Sequence, residues 1–179
     1  MNHEALAKVI PRLVIQQVYA SSISLKTNDD YVPAVGDMTT TQLSWGTKDL
    51  RIQGLADETG KVLNFAKIRF GTIAKILRNN SGAQLSENFV PEQNDILAEI
   101  EVSFVADYLI LGEGELDKDG ALEFAVHNTP YHVWPYWREY LQQLAGRANL
   151  PVPTLAFYQV PPSQKIETDA VNKDIGAAK

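Results

Sequence analysis

Three histidines, His3, His127 and His132, and the carboxylates near two of them are the first groups to weigh for chemistry. On a helix, residues three or four apart share a face. Glu123 and His127 meet that condition, whereas His127 and His132, five apart, do not. A Glu–His pair offers an acid–base couple or two metal ligands, but a zinc site needs a third protein ligand. Solvated or core histidines are the simpler reading, and a hydrolase built from His127 or His132 with Glu123 or Glu139 is the weakest. The chain has no cysteine, which excludes disulfides, thiolate ligands and a cysteine nucleophile. No serine sits in a nucleophile elbow, and neither Gly112-Glu-Gly114 nor Gly71-Thr72 resembles a phosphate loop. Asp117-Lys-Asp-Gly120 lacks the length and the closing glutamate of a calcium loop and reads as a turn. The expectation is a protein that is not an enzyme, with no catalytic residue, no metal and no cofactor.

A different chemistry is concentrated in Trp134-Pro-Tyr-Trp-Arg-Glu139. Large aromatic side chains fill a core or grip other apolar surfaces. Spacing predicts a helix over 131–147, with Val133, Tyr136, Trp137, Tyr140, Leu141 and Leu144 as its apolar stripe. Thr129 is the expected cap and Pro130 the first helical residue, while Pro135 must kink the helix or mark its true start. Gly146 marks its end, and a short helix over 121–127 precedes it.

The elements before that helix read as strands. Residues 12–25 are rich in β-branched side chains, and Ser21-Ser22 breaks their alternation, as a bulge does. A second strand covers about 40–54, with 46–49 as an interruption, and a turn at 56–60 leads to a third over 61–77. Residues 96–111 alternate most cleanly: Ile96, Ala98, Ile100, Val102 and Phe104 face one way, Glu99, Glu101 and Ser103 the other. Pro151-Val-Pro153 stops the last helix, and Leu155–Val160 should pack on the body. Strands followed by helix imply an α+β fold, a four-stranded antiparallel sheet covered on one face by a long helix. Residues 1–160 make the single domain, and 161–179 is a polar tail expected to be disordered.

Composition narrows the partners. Net charge is −6 and pI about 5.0, and Lys67, Arg69, Lys75 and Arg78 are scattered rather than gathered into the patch that phosphate binding needs. Nucleic acid is therefore not expected. No run approaches the ~20 apolar residues of a membrane span, so the protein is not membrane-embedded. The first ten residues lack the pattern of a secretory signal. The expected location is the cytoplasm.

Trp134-Pro-Tyr-Trp-Arg-Glu139, continued by Leu141, Leu144, Arg147 and Leu150-Pro-Val-Pro-Thr-Leu155, resembles the motif that opens and leaves the long helix of the SecB export-chaperone family. Val14-Ile-Gln-Gln-Val-Tyr19 with Ile23-Ser-Leu25 resembles that family's first strand. Trp137 replaces a small residue of the family pattern, and Gly146 and Arg147 stand in inverted order.

The resemblance implies a SecB-like chaperone that holds unfolded or precursor polypeptides for translocation in protein export, without ATP. It also implies a homo-oligomer, a dimer of dimers, in which Trp134, Tyr136, Trp137, Tyr140, Leu141 and Leu144 contribute to the interface. Clients are expected at Tyr31, Val32, Val35, Leu43, Trp45, Phe157 and Tyr158. The SecA motor is a further implied partner. The family's second helix and acidic tail are not repeated, since Pro161-Pro162 breaks the chain and Ser163–Lys179 carries three lysines and three acids. Two alternatives use the same scaffold: an adaptor for a dedicated client such as an antitoxin, and a carrier of a small ligand.

Overall fold

The computed structural model describes residues 1–28, 31, 39–56, 58–79, 89–92, 95–156 and 158. Four long strands dominate it: β1 (Leu13–Thr27), β2 (Thr39–Ala56), β3 (Val62–Arg78) and β4 (Ile96–Ile110). They form one antiparallel sheet in the order β1-β4-β3-β2, a Greek key in which β1 closes beside β4. Three helices complete the chain: α1 (His3–Val9), α2 (Lys118–His127) and α3 (Thr129–Arg147).

Strand alternation sorts side chains onto two faces. Across β3 and β4 the pairs Ala66/Tyr108, Ile68/Ala106, Phe70/Phe104, Thr72/Val102, Ala74/Ile100 and Ile76/Ala98 are buried on one face. Helices α2 and α3 pack over that face and contribute Phe124, Val133, Trp134, Trp137 and Leu141. Each such large side chain stabilises the fold by about 1.5–3 kcal/mol through burial. The opposite face carries the intervening positions, among them Lys67, Arg69, Lys75, Glu99, Glu101 and Asp107.

The expected break near residue 46 of the second strand is a bulge at Lys48, where the β2–β3 register shifts between Thr47 and Asp49. Lys48 turns across Gly71, where a Cβ would lie 2.2 Å from its Cε, and reaches Glu101 two strands away. In β1 the register shifts between Ile15 and Gln17 and between Ala20 and Ser22.

Three helix boundaries differ from expectation. The N-terminus forms a helix that was not read from the sequence: Asn2 caps α1 by accepting a hydrogen bond from Ala5 N at 3.1 Å, and Ala5, Leu6 and Val9 are buried. Asp117 is likewise a cap, accepting from Gly120 N at 2.7 Å, so α2 starts before residue 121. Thr129 is inside α3 and fully buried rather than capping it, and α3 bends but continues through Pro135. Its end is set beyond Gly146. Asn149 adopts φ 54°, Asn149 N donates to Gly146 O at 3.2 Å, and Leu150 N donates to Ala145 O at 2.9 Å. This pair of bonds is a Schellman turn, and it aims the following segment back onto the body.

Candidate functional site

On the helix-covered face of β2, Leu43 pairs with Ala74 and Trp45 with Thr72. Trp45 meets Trp134 of α3 edge to face, with ring centroids 5.1 Å apart. The segment after Pro151 and Pro153 has no regular structure, as two prolines so close would dictate, and it lays Leu155 and Tyr158 against these rings. Tyr158 stands 6.4 Å from Trp45, 5.3 Å from Trp134 and 4.9 Å from Tyr131. Four aromatic rings from a strand, a helix and an irregular segment thus meet at one place. Such edge-to-face pairs add about 0.5–1.5 kcal/mol each beyond their burial.

Polar atoms set the geometry of this cluster. Trp134 Nε1 donates to the Ala156 carbonyl at 2.9 Å. Trp45 Nε1 is buried, with Tyr158 as a loose hydrogen-bond partner. Burial, then the neighbouring Tyr131 phenol, raise the pKa of Tyr158 above its ordinary value, with a smaller opposing effect from the Trp45 indole.

Of the residues expected to contact a client, Trp45 and Tyr158 touch each other, and Leu43 lies two positions from Trp45 on the same face. Tyr31 is half-buried against the core beyond the end of β1. Val32, Val35 and Phe157 lie outside the described residues. The set assigned to a subunit interface divides. Trp137 and Leu141 are fully buried under their own sheet and Trp134 is 7% exposed, so these three present almost nothing to a second chain. Tyr136 is 42% exposed, while Tyr140 and Leu144 are half-buried. The buried stripe of α3 is Pro130, Val133, Trp134, Trp137, Leu141 and Ala145, rotated from the expected one by about a residue. Tyr131, missed in the sequence, was readable from its spacing: three residues before Trp134, it shares that side of the helix.

The histidines are occupied structurally. His127 Nε2 lies 3.2 Å from Glu123 Oε2. His132 Nδ1 is 2.9 Å from the Tyr108 hydroxyl, and burial lowers its pKa below the ordinary value. Glu139 is exposed on α3 and accepts from Gln143. Among the described residues no three His, Asp or Glu side chains gather as metal ligands do, and no helix is long and apolar enough to cross a membrane.

The open face of the sheet is charged but balanced. Asp49 lies 3.3 Å from Arg69 and 3.5 Å from Arg51. Glu101 lies 3.0 Å from Lys48 and Glu99 3.8 Å from Lys75. Asp107 is nearly buried, takes a 2.7 Å bond from Gln17 and stands 3.6 Å from Lys67. At the free edge, β1 exposes Val14, Ile15, Tyr19, Ile23 and Leu25.

No family model and no curated protein matches the chain. Among solved structures it is similar to the SecB-like chaperone Rv1957 of Mycobacterium tuberculosis, in complex with a ChAD peptide from the Rv1956 HigA1 antitoxin. The likeness has a TM-score of 0.62 at 20% identity and covers 89% of this chain and 99% of that one. A single four-stranded sheet with a long helix across it is common to both, and the chain carries the SecB-like fold.

Proposed function

We propose that this protein is an ATP-independent chaperone that binds non-native polypeptide on the aromatic rings of Trp45, Trp134 and Tyr131. The observation that carries the reading is that cluster: rings of β2 and α3 form a seat beside Leu43 that takes an aromatic ring, Tyr158, from an irregular segment. Aromatic walls with an indole N–H, such as that of Trp134, to meet a main-chain carbonyl suit extended chains of many sequences, because ring contacts and main-chain hydrogen bonds ask little of the client's side chains.

A dedicated client is favoured over general export. The SecB-like neighbour was solved with a peptide of an antitoxin, and each acid on the open sheet face of this chain already stands beside a lysine or arginine. A face so neutralised offers little to a basic partner such as a SecA motor would need to present. Homo-oligomerisation is part of the proposal, with the apolar edge strand β1 as the element best suited to extend the sheet into a second subunit. We place the protein in the cytoplasm, without a cofactor.

Light scattering with a reduced, unfolded client tests the reading. The expected result is a dimer or tetramer that keeps the client soluble at near-equal stoichiometry. A monomer that leaves the client to aggregate overturns it.

A further inference from the structure

The segment bearing Leu155, Ala156 and Tyr158 is bound to its own domain as a peptide is bound to a receptor. Pro151 and Pro153 deny it helix and ladder hydrogen bonds, and its described residues follow the Schellman turn without regular structure. Its docking uses one aliphatic side chain, Leu155, which is 5% exposed, and one aromatic ring, Tyr158, three positions on. Between them the main-chain carbonyl of Ala156 accepts from the Trp134 indole. Contacts of this type specify an extended backbone with two apolar anchors and little else.

We propose that this segment is a tethered stand-in for client, seated in the client groove and displaced when client binds. The inference rests on the chaperone reading and deepens it by naming both the client class and its regulation. The client stretch would be extended, with an aliphatic residue, a free carbonyl after it and an aromatic residue at the third following position. The tether competes at the millimolar effective concentrations typical of short linkers, so only such stretches displace it.

The test compares the parent with Tyr158→Ser and Tyr158→Phe. The probes are a fluorescent nonapeptide with the sequence of residues 150–158, followed by anisotropy, and reduced, unfolded α-lactalbumin. Tyr158→Ser should bind both about tenfold more tightly than the parent, and Tyr158→Phe, which keeps the ring, should match the parent. Equal or weaker binding by Tyr158→Ser, with the parent active, overturns the stand-in and leaves the chaperone reading intact with Tyr158 as a groove wall. No binding by any form overturns both. A measurement on the otherwise native groove guards against misfolding. Thr154 is exposed and the chain has no cysteine, so a spin label on Thr154→Cys reports the segment alone. Its spectrum should sharpen on adding α-lactalbumin, and a broadened or unchanged spectrum contradicts displacement.

Discussion

The Tyr108 hydroxyl lies 2.9 Å from His132 Nδ1, joining the central strand β4 to α3 inside the core, with the Phe124 ring edge-on to Tyr108 at 5.0 Å. A neutral imidazole with its proton on Nε2 accepts this bond at Nδ1, whereas the protonated ring can only donate there. Burial lowers the His132 pKa and raises that of Tyr108 to about 12, so both groups are held neutral.

The pH dependence follows from those directions. Unfolded His132 takes up its proton as pH falls through 6.5, whereas the folded form takes it up only at lower pH. Its contribution is therefore complete above about pH 6.5 and is lost on acidification below it. Urea midpoints at pH 7.5 and 5.5 should differ more for the parent than for His132→Gln. Equal pH dependence in the two would contradict the assignment. Tyr108→Phe, which leaves the Nδ1 acceptor unpaired, should cost about 1–2 kcal/mol at neutral pH by urea unfolding.

Two glycines should respond oppositely to alanine. A Cβ on Gly120 would lie 2.4 Å from the Ala5 carbonyl oxygen and 2.5 Å from Val9 Cγ2, so α1 must move off α2. Gly120→Ala should cost about 1–3 kcal/mol and speed hydrogen exchange within α1. A Cβ on Gly146 meets nothing within 4 Å, and Gly146→Ala should stabilise α3 by about 0.5–1 kcal/mol. Thermal unfolding with exchange of α1 amides separates the two.

Trp137 and Tyr136 stand side by side in sequence and opposite in role. Trp137→Ala empties a fully buried site and should cost about 3–5 kcal/mol at any protein concentration. Tyr136→Ala changes a ring that is 42% exposed and should alter monomer stability by no more than about 0.5 kcal/mol. If α3 meets a second subunit, Tyr136→Ala weakens association in sedimentation while leaving the dilute melting curve in place.

Arg12 organises the turn after β4. Its guanidinium donates to the carbonyls of Leu111, Glu113, Gly114 and Glu115 at 2.9–3.3 Å. Gly112 and Gly114, at φ 79° and 80°, supply the left-handed residues that let those carbonyls converge. A lysine keeps the charge without the planar fork. Arg12→Lys should make the 111–116 turn several-fold more sensitive to protease, with a loss of about 1–3 kcal/mol. Unchanged proteolysis would show that the turn holds itself.

The strands were legible because alternation over 15 or more residues leaves few alternatives, and β4 shows the pattern most cleanly. The caps at Asn2 and Asp117 were missed because a seven-residue helix has too short a period to register, and an Asp before Gly reads equally as a turn. The α3 stripe was misplaced by about a residue because Tyr136 and Trp137 are both aromatic, and only the packing of Trp137 under the sheet distinguishes them. The meeting of Trp45 with Tyr158 joins positions far apart in the chain. No local pattern encodes such a pairing, which follows from where the Schellman turn at Asn149 sends the last segment. The balance of charge on the open face was hidden for the same reason, since Lys48 reaches Glu101 only because a bulge turns it across Gly71.

The Greek-key order has a consequence for how the protein comes into being. Gln17 of β1 bonds to Asp107 of β4, 90 positions later, and β1 pairs along its whole length with that strand alone. On a ribosome adding about 5–20 residues per second, the first strand emerges several seconds before its partner exists. Throughout that interval Val14, Ile15, Tyr19 and Ile23 form an extended apolar segment with an open backbone, while β2 and β3 can already close as a local hairpin. The nascent chain thus passes through a state in which an apolar segment and its backbone stand open until β4 is made.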